Sequence, residues 1–425
     1  MYILTYYKSL CRGNDWTDCF AAAVADIKKD GGGTLLVLSG NYESRSIELT
    51  GGMTLIVENG AYIRFSDDMD ACEKIELDFE GYPHICAKPL LYARGCKNVT
   101  VTGRGTLDGN GMKWWQAKRN GTLPCMRPYL VCFNECENVV IEGLTLVNSP
   151  VWTVHPLLCD NVTIRYLTIR NPYDSPNTDG IDPDYSTGVT IENCTIDVGD
   201  DCIAVKSGTQ ERTIVHPSEN ITITNCRMVH GHGALVLGSE MSGDIRNVTL
   251  SGCEFIDTDR GLRIKTRRGR GGRVSNIEMK QVIMKNVMCP FVINMRYTAG
   301  KGGDDPAVSA PEALPVNEGT PTVSDVTLTD IVCENCTAAA GFFDGLPESP
   351  VERVKIENIT VSMTPSDTPR RAALTPNCTP TTHAGFFLKC VRDVSFRNIN
   401  LDGVEGDKYI SLGDTDADVD GVKIG

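Results

Sequence analysis

Apolar residues in this chain recur as paired short runs, each alternating with polar residues at a period of two. Take as origins Asn98, Asn138, Asn161, Gly188, Asn220, Asn247, Asn276, Asp325, Arg353 and Asp393. One residue beyond them stand Val99, Val139, Val162, Val189, Ile221, Val248, Ile277, Val326, Val354 and Val394. Three beyond stand Val101, Ile141, Ile164, Ile191, Ile223, Leu250, Met279, Leu328, Ile356 and Phe396. Such alternation marks a strand with one buried face. After a break rich in Asn and Gly, the alternation resumes six and eight residues on, at Leu144 and Leu146, Leu167 and Ile169, Cys194 and Ile196, and Cys226 and Met228. The first unit carries Arg104 and Thr106 at those two places. Asn and Gly tolerate the left-handed backbone that a sharp bend requires.

Strand, bend, strand and longer loop, repeated about ten times, predict an all-β chain: a right-handed parallel β-helix whose core is ladders of like side chains about 4.8 Å apart. No helical period survives in these units, which excludes a coiled coil or an α-solenoid; an up-and-down β-sandwich is the competing architecture. Ahead of the repeats, Ala21, Ala22, Val24, Ala25 and Ile27 predict a short helix over Asp15 to Lys29, stopped by Gly31-Gly32-Gly33. Strands are expected at Thr34 to Leu38 and Met53 to Glu58. The helix would cap the open end of the stack, whose bare strand edge invites aggregation. With no linker in view, 1–425 reads as a single domain, with 1–60 as cap and first strands and 98–404 as the repeated coils.

Two coils are long. The step from Asn98 to Asn138 holds Trp114-Trp115 and Arg127-Pro128-Tyr129; the step from Asn276 to Asp325 holds Tyr297 and Ala299 to Pro321. Both read as walls of a groove.

The net charge of −14 argues against a nucleic-acid partner. Positive charge is concentrated once, where Arg260, Arg263, Lys265, Arg267, Arg268, Arg270 and Arg273 follow one another with no acid between them. No segment approaches the length of an apolar membrane span. Eighteen cysteines suggest disulfides, yet Cys194, Cys226 and Cys253 share a core position with Leu144 and Ile331 and read as buried small hydrophobes. Met1 to Lys8 lacks the features of an export signal. Reduced thiols in a cytoplasmic protein are therefore expected. Clustered loop ligands for zinc are not seen, and neither metal nor cofactor is expected. Oligomeric state is not readable.

Candidate chemistry lies between Ser175 and Lys265, where the repeats run to about 27 to 32 residues. Asp179-Gly180-Ile181, Asp201-Cys202-Ile203, Gly233-Ala234-Leu235 and Gly261-Leu262-Arg263 fall in register, which predicts Asp200 facing His232 and Asp179 beside Asp201. Three carboxylates so close cannot all ionise freely, so one becomes a proton donor beside ionised partners. That arrangement suits acid/base cleavage of a glycosidic bond. Arg263 and Lys265, two residues apart on a strand, point the same way and suit a substrate carboxylate. The partner so read is an anionic oligo- or polysaccharide.

Asn177-Thr178-Asp179, Asp200-Asp201, Gly231-His232-Gly233 and Arg263-Ile264-Lys265 resemble the four signature motifs of the polygalacturonases, glycoside hydrolase family 28. Ser149 to Pro156 and Gly238 to Gly243 are similar to its bacterial exo-acting branch. The resemblance implies hydrolysis of α-1,4-linked galacturonan with inversion. By motif, Asp200 is the general acid, Asp179 and Asp201 hold and activate water, and His232 tunes or orients the acid. Arg263, Lys265, Asn177 and Tyr297 would bind substrate, and Arg267 and Arg268 the terminal galacturonate. The family's Asp-Phe-Gly-Ala opening strand has no counterpart. Competing readings are hydrolysis of rhamnogalacturonan or substituted galacturonan, a calcium-dependent lyase built on the same β-helix, and a non-catalytic carbohydrate-binding β-helix.

Overall fold

The computed structural model describes residues 1–211, 216–365, 368–376, 378–405, 410–412 and 417–424. The chain divides into two compact units, Met1–Asp200 and Asp201–Gly425.

The first unit opens with the strand Tyr2–Ile3, a 3-10 turn at Leu4–Leu10 and the helix Thr17–Lys29. The helix starts two residues later than its composition predicts: Asp15 stays outside it, ahead of the N-cap Trp16, and accepts from the Thr17 amide at 2.9 Å. Its Cys19, Phe20, Ala23 and Ile27 are buried, which gives the stack an apolar lid. Parallel strands follow at Gly33–Val37, Met53–Val57, Lys97–Gly103, Glu137–Glu142, Asp160–Arg165 and Thr187–Glu192. Val99, Val139, Val162 and Val189 stand in register through this column, all buried. A second column runs through Gly40–Ser44, Ala61–Phe65, Thr106–Asp108, Thr145–Val147, Thr168–Arg170 and Thr195–Val198. A separate four-stranded sheet, Ile47–Glu48, Leu91–Arg94, Val131–Asn134 and Val154–Leu157, supplies a third strand to four of these turns. Up to three parallel strands per turn, each paired with its equivalent one turn later, make this unit a parallel β-helix.

The second unit repeats the plan. Ile221, Val248, Ile277, Val326, Val354 and Val394 form one registered, buried ladder, and Ile223, Leu250, Met279, Leu328, Ile356 and Phe396 another. Each such side chain contributes about 1.5–3 kcal/mol by leaving water. A second sheet stacks Ile203–Val205, Leu235–Gly238, Arg260–Lys265, Cys289–Asn294, Ala339–Asp344 and Ala384–Lys389.

The bends are left-handed, and so are the residues that open each unit: φ is +57° at Asn220, +53° at Asn225 and +56° at His230, three positions five apart. The opening asparagines also bond to one another. Asn138 donates to Asn98 at 3.0 Å in the first unit, and Asn276 to Asn247 at 2.7 Å in the second. One residue type thus supplies both the backbone freedom and a polar ladder along the turn.

The structure departs from the sequence reading at three places. Leu107, rather than Thr106, pairs with Leu146, because the bend at Gly103 to Gly105 carries one extra residue. A one-residue slip exchanges the buried and exposed faces, which is why Arg104 fell on a core position in the alignment. An antiparallel hairpin, Lys74–Phe79 with Tyr82–Ala87, was not anticipated. Trp114 and Trp115 lie buried in an unexpected helix, Met112–Asn120, and the Trp115 indole donates to the Ser149 carbonyl at 3.0 Å. They pack this loop. Among the described residues no disulfide joins the cysteines, and Cys194, Cys226 and Cys253 are buried.

Candidate active site

In the first unit, Asp179 is fixed through its backbone: the Thr153 amide donates to its carbonyl at 2.9 Å, and the Val154 amide to that of Gly180 at 3.0 Å. Before it, the Thr178 hydroxyl turns back to the Ser175 carbonyl at 3.1 Å, and Asn177 takes a left-handed φ of +53°. Arg127 clamps this turn from beneath. Its guanidinium donates to the carbonyls of Pro150 at 2.9 Å and Pro176 at 2.6 Å, and to the Asn177 amide oxygen at 2.7 Å. Burial lowers the Arg127 pKa to about 10, against the pull of Asp179, Glu80 and Asp200. Sequence reasoning placed Arg127 only in a wall; its grip on Asn177 makes it a positioning residue for the Asp179 turn.

Asp179 is buried, Asp200 is half-buried, and their nearest carboxylate oxygens lie within 4.8 Å. Gly199 brings Asp200 there, since a Cβ at that position would meet the carbonyls of Pro172 and Ser175 at 2.6 Å each. Two further buried acids, Asp182 and Asp184, went unnoticed in the sequence. Asp184 lies 3.4 Å from His155, whose ring packs 4.4 Å from that of Tyr129.

The second unit begins with Asp201, buried at 1% exposure. Arg263 donates to its Oδ1 at 3.0 Å and Lys265 to its Oδ2 at 2.8 Å. Burial alone would raise the pKa of this carboxyl, but Lys265, Arg263 and Lys206 hold it well below the usual carboxylate range. The same pairing lifts the pKa of Lys265 against its own burial. Gly233 lies against the group: a Cβ there would meet the Val236 Cγ2 at 2.5 Å and stand 3.3 Å from the Arg263 Cδ and 3.4 Å from the Asp201 Oδ1. The Tyr297 ring lies 5.7 Å from the Arg263 guanidinium and 5.4 Å from the Lys265 ammonium. These are the residues that the sequence grouped.

His232 is about half exposed, and its Nδ1 lies 3.0 Å from Asp259. Burial would raise the Asp259 pKa, yet the His232 hydrogen bond and Arg260 bring it down. Asp259 was missed, although it immediately precedes the basic run. Also missed were Lys206 and Glu240, whose charged atoms are 3.8 Å apart, and the contact of Glu240 with Arg270 at 3.9 Å.

Arg267 and Arg268 occupy a different place from the one expected. All five N–H groups of Arg268 are spent: two on Glu348, at 2.6 and 2.8 Å, and the rest on the carbonyls of Ala307, Ala310 and Glu312. Arg267 donates to the carbonyls of Ala299 and Lys301. Both are buried, and both pin the 299–321 loop.

Asp179 and Asp200 present oxygens close enough together to hold a cation. Within the second unit Asp201 suits a metal poorly, because any cation bound to it would face Arg263 and Lys265 at contact distance. This charge distribution disfavours a calcium site of the lyase kind.

The model of the glycosyl hydrolases family 28 matches residues 71–379. A probable polygalacturonase of Vitis vinifera is 36% identical over 359 residues, covering 82% of this chain and 71% of that protein. A polygalacturonase of Juniperus ashei is 36% identical over 277 residues, covering 63% and 51%. Among solved structures, a hyperthermoactive exopolygalacturonase from Thermotoga maritima superposes with a TM-score of 0.79 at 28% identity, over 93% of this chain and 90% of that one.

Proposed function

Because the chain belongs to family 28 of the glycosyl hydrolases, the polygalacturonase family, we propose that it hydrolyses α-1,4-linked galacturonan with inversion, removing units from a chain end. The observation that carries the acid/base assignment is the pairing of Asp201 with Arg263 and Lys265. A carboxylate held in that way keeps its charge and makes a poor proton donor. The proton then belongs to Asp200, the half-buried acid whose other near neighbour, Asp179, is a like charge within 4.8 Å.

In this reading Asp200 protonates the glycosidic oxygen as the bond to the anomeric carbon breaks. Asp179 and Asp201 hold the water that attacks from the opposite face and accept its proton. His232, fixed through Asp259, orients the acid. Arg263 and Lys265, which both reach Asp201, receive the galacturonate carboxylate together with the Tyr297 ring. Inversion rests on the family, since carboxyl groups that leave room for a water are usually about 6.5–9.5 Å apart.

End-on attack is supported by the likeness to the Thermotoga maritima exopolygalacturonase and by the 299–321 loop, which Arg267 and Arg268 hold rigidly enough to serve as a wall. Following viscosity against reducing ends on polygalacturonate tests it. The expected course is a slow fall in viscosity as reducing ends accumulate. A steep drop within the first few per cent of bonds cleaved means internal cutting and an open groove.

A further inference from the structure

Three aromatic side chains stand exposed among the described residues: Tyr6, Tyr166 and Tyr173. Tyr6 lies in the 3-10 turn of the cap, and the Tyr166 ring lies 5.9 Å from the Arg165 guanidinium. Tyr173 is 76% exposed and sits on the turn that leads into Asp179. A single exposed aromatic is ordinary on a protein surface. What sets Tyr173 apart is how firmly its turn is held and what that turn rests on.

The turn is fixed from several sides. The Ser175 amide donates back to the Pro172 carbonyl at 3.0 Å, and the Ser175 hydroxyl turns to the same carbonyl. Arg119, from the helix Met112–Asn120, donates to the Asp174 carbonyl at 2.7 Å and reaches the Asp174 carboxylate at 3.3 Å. Pro172 and Pro176 restrict the backbone on either side. The residues around Tyr173 thus spend their polar groups on the turn, while the ring stands in water. A rigid aromatic presented in this way loses little freedom when a ligand covers it.

The turn also lies against the segment that carries the acid. A Cβ on Gly199 would meet the Pro172 and Ser175 carbonyls at 2.6 Å each, so Pro172 and Gly199 are in contact. The next residue along one segment is Tyr173, and along the other Asp200. Ring and acid are therefore neighbours within the first unit. A galacto-configured pyranose gathers its C3, C4 and C5 hydrogens on one face, which has no hydrogen bond to offer. The negative face of a phenol ring attracts those hydrogens and covers them without adding charge beside the sugar's carboxylate.

We propose that Tyr173 is a substrate-binding residue whose ring forms a stacking platform for a galacturonate ring next to the scissile bond, on the side of the Asp179 turn. The proposal rests on galacturonan being the substrate.

The test uses Tyr173→Ala, Tyr173→Phe and Tyr173→Trp. With trigalacturonate, Tyr173→Ala should raise KM about tenfold at an unchanged thermal midpoint, and Tyr173→Phe should stay within about twofold of wild type. An unchanged KM in Tyr173→Ala, or an equal loss in Tyr173→Phe, overturns the platform. Tyr173→Trp, combined with Asp200→Asn so that the sugar persists, supplies a readout apart from activity. The four native tryptophans, Trp16, Trp114, Trp115 and Trp152, are buried, so acrylamide should quench chiefly the new indole. Saturating trigalacturonate should lower the quenching constant at least twofold; quenching that ignores the sugar overturns the proposal. Should the wild type cleave no galacturonan, the substrate reading fails separately. The same quenching titration with oligomers of rhamnogalacturonan and of methyl-esterified galacturonan then decides. Protection by either supports the platform, and protection by neither overturns it.

Discussion

The Lys265 ammonium sits 2.8 Å from Oδ2 of Asp201, a residue sixty-four positions earlier in the chain. The repeat makes that meeting possible, because Ile203, Leu235 and Leu262 stack in register and bring the residues beside them together. It also assigns the charges, since an acid gripped by a buried lysine and arginine stays ionised and leaves the proton to its neighbour.

Asp200 and Asp201 should therefore respond differently to the same substitution. Asp200→Asn is expected to lower kcat by at least a thousandfold while leaving the thermal midpoint within a few degrees, because the side chain is only half-buried. Asp201→Asn should also lose activity, but at a cost of about 3–5 kcal/mol in stability, since it strands two buried cations. Kinetics and thermal unfolding on both variants decide this. Asp200→Asn within tenfold of wild type removes Asp200 from the acid role.

Much of this was legible because the fold repeats one short rule. Val139, Val162 and Val189 are alike because each occupies the same place on successive turns, and no long-range knowledge is needed to align them. The motif residues inherit that alignment, so Asp201, Arg263 and Lys265 could be grouped before any coordinates. What a repeat does not encode is the direction of a long side chain. Arg268 reads as a substrate ligand in sequence, yet it turns into the loop that follows, where Glu348 and three carbonyls saturate it. Asp259 and Glu240 escaped notice because their partners lie one coil away, Asp259 outside any motif and Glu240 in a stretch read only for its likeness. The hairpin Lys74–Phe79 with Tyr82–Ala87 lies outside the repeat, and Trp114 and Trp115 belong to an insertion whose burial has no period to betray it.

Acid should destabilise the fold through Glu240. Burial pushes its pKa up, but Lys206, Arg270 and Lys265 bring it down to about 2. A depressed acid contributes stability that is fully present above the unfolded value, near 4.5, and lost as pH falls toward 2. Denaturant unfolding between those limits should show up to one proton fewer taken up per molecule on unfolding in Glu240→Gln than in wild type. Identical slopes in the two proteins contradict the assignment.

Asp259 acts, in this account, only by holding His232. His232→Ala and Asp259→Ala should each reduce kcat, and the double variant should be no slower than His232→Ala alone. Additive losses mean that Asp259 has a separate task.

Arg268→Ala should loosen the 299–321 loop, which loses its anchors at Ala307, Ala310 and Glu312, and should leave Glu348 without its guanidinium. Limited proteolysis is expected to cut between 299 and 321 at least tenfold faster than in wild type. Equal rates show that the loop is held by other contacts.

The central claim is hydrolysis of galacturonan by carboxylates, with no part for a metal. It is tested most directly by incubating the wild-type protein with polygalacturonate in excess chelator while following reducing ends and near-ultraviolet absorbance together. The account predicts that reducing ends accumulate at an undiminished rate and that absorbance stays flat, because water adds across the broken bond. Rising absorbance from an unsaturated product, abolished by the chelator, would mean metal-assisted elimination and would contradict it.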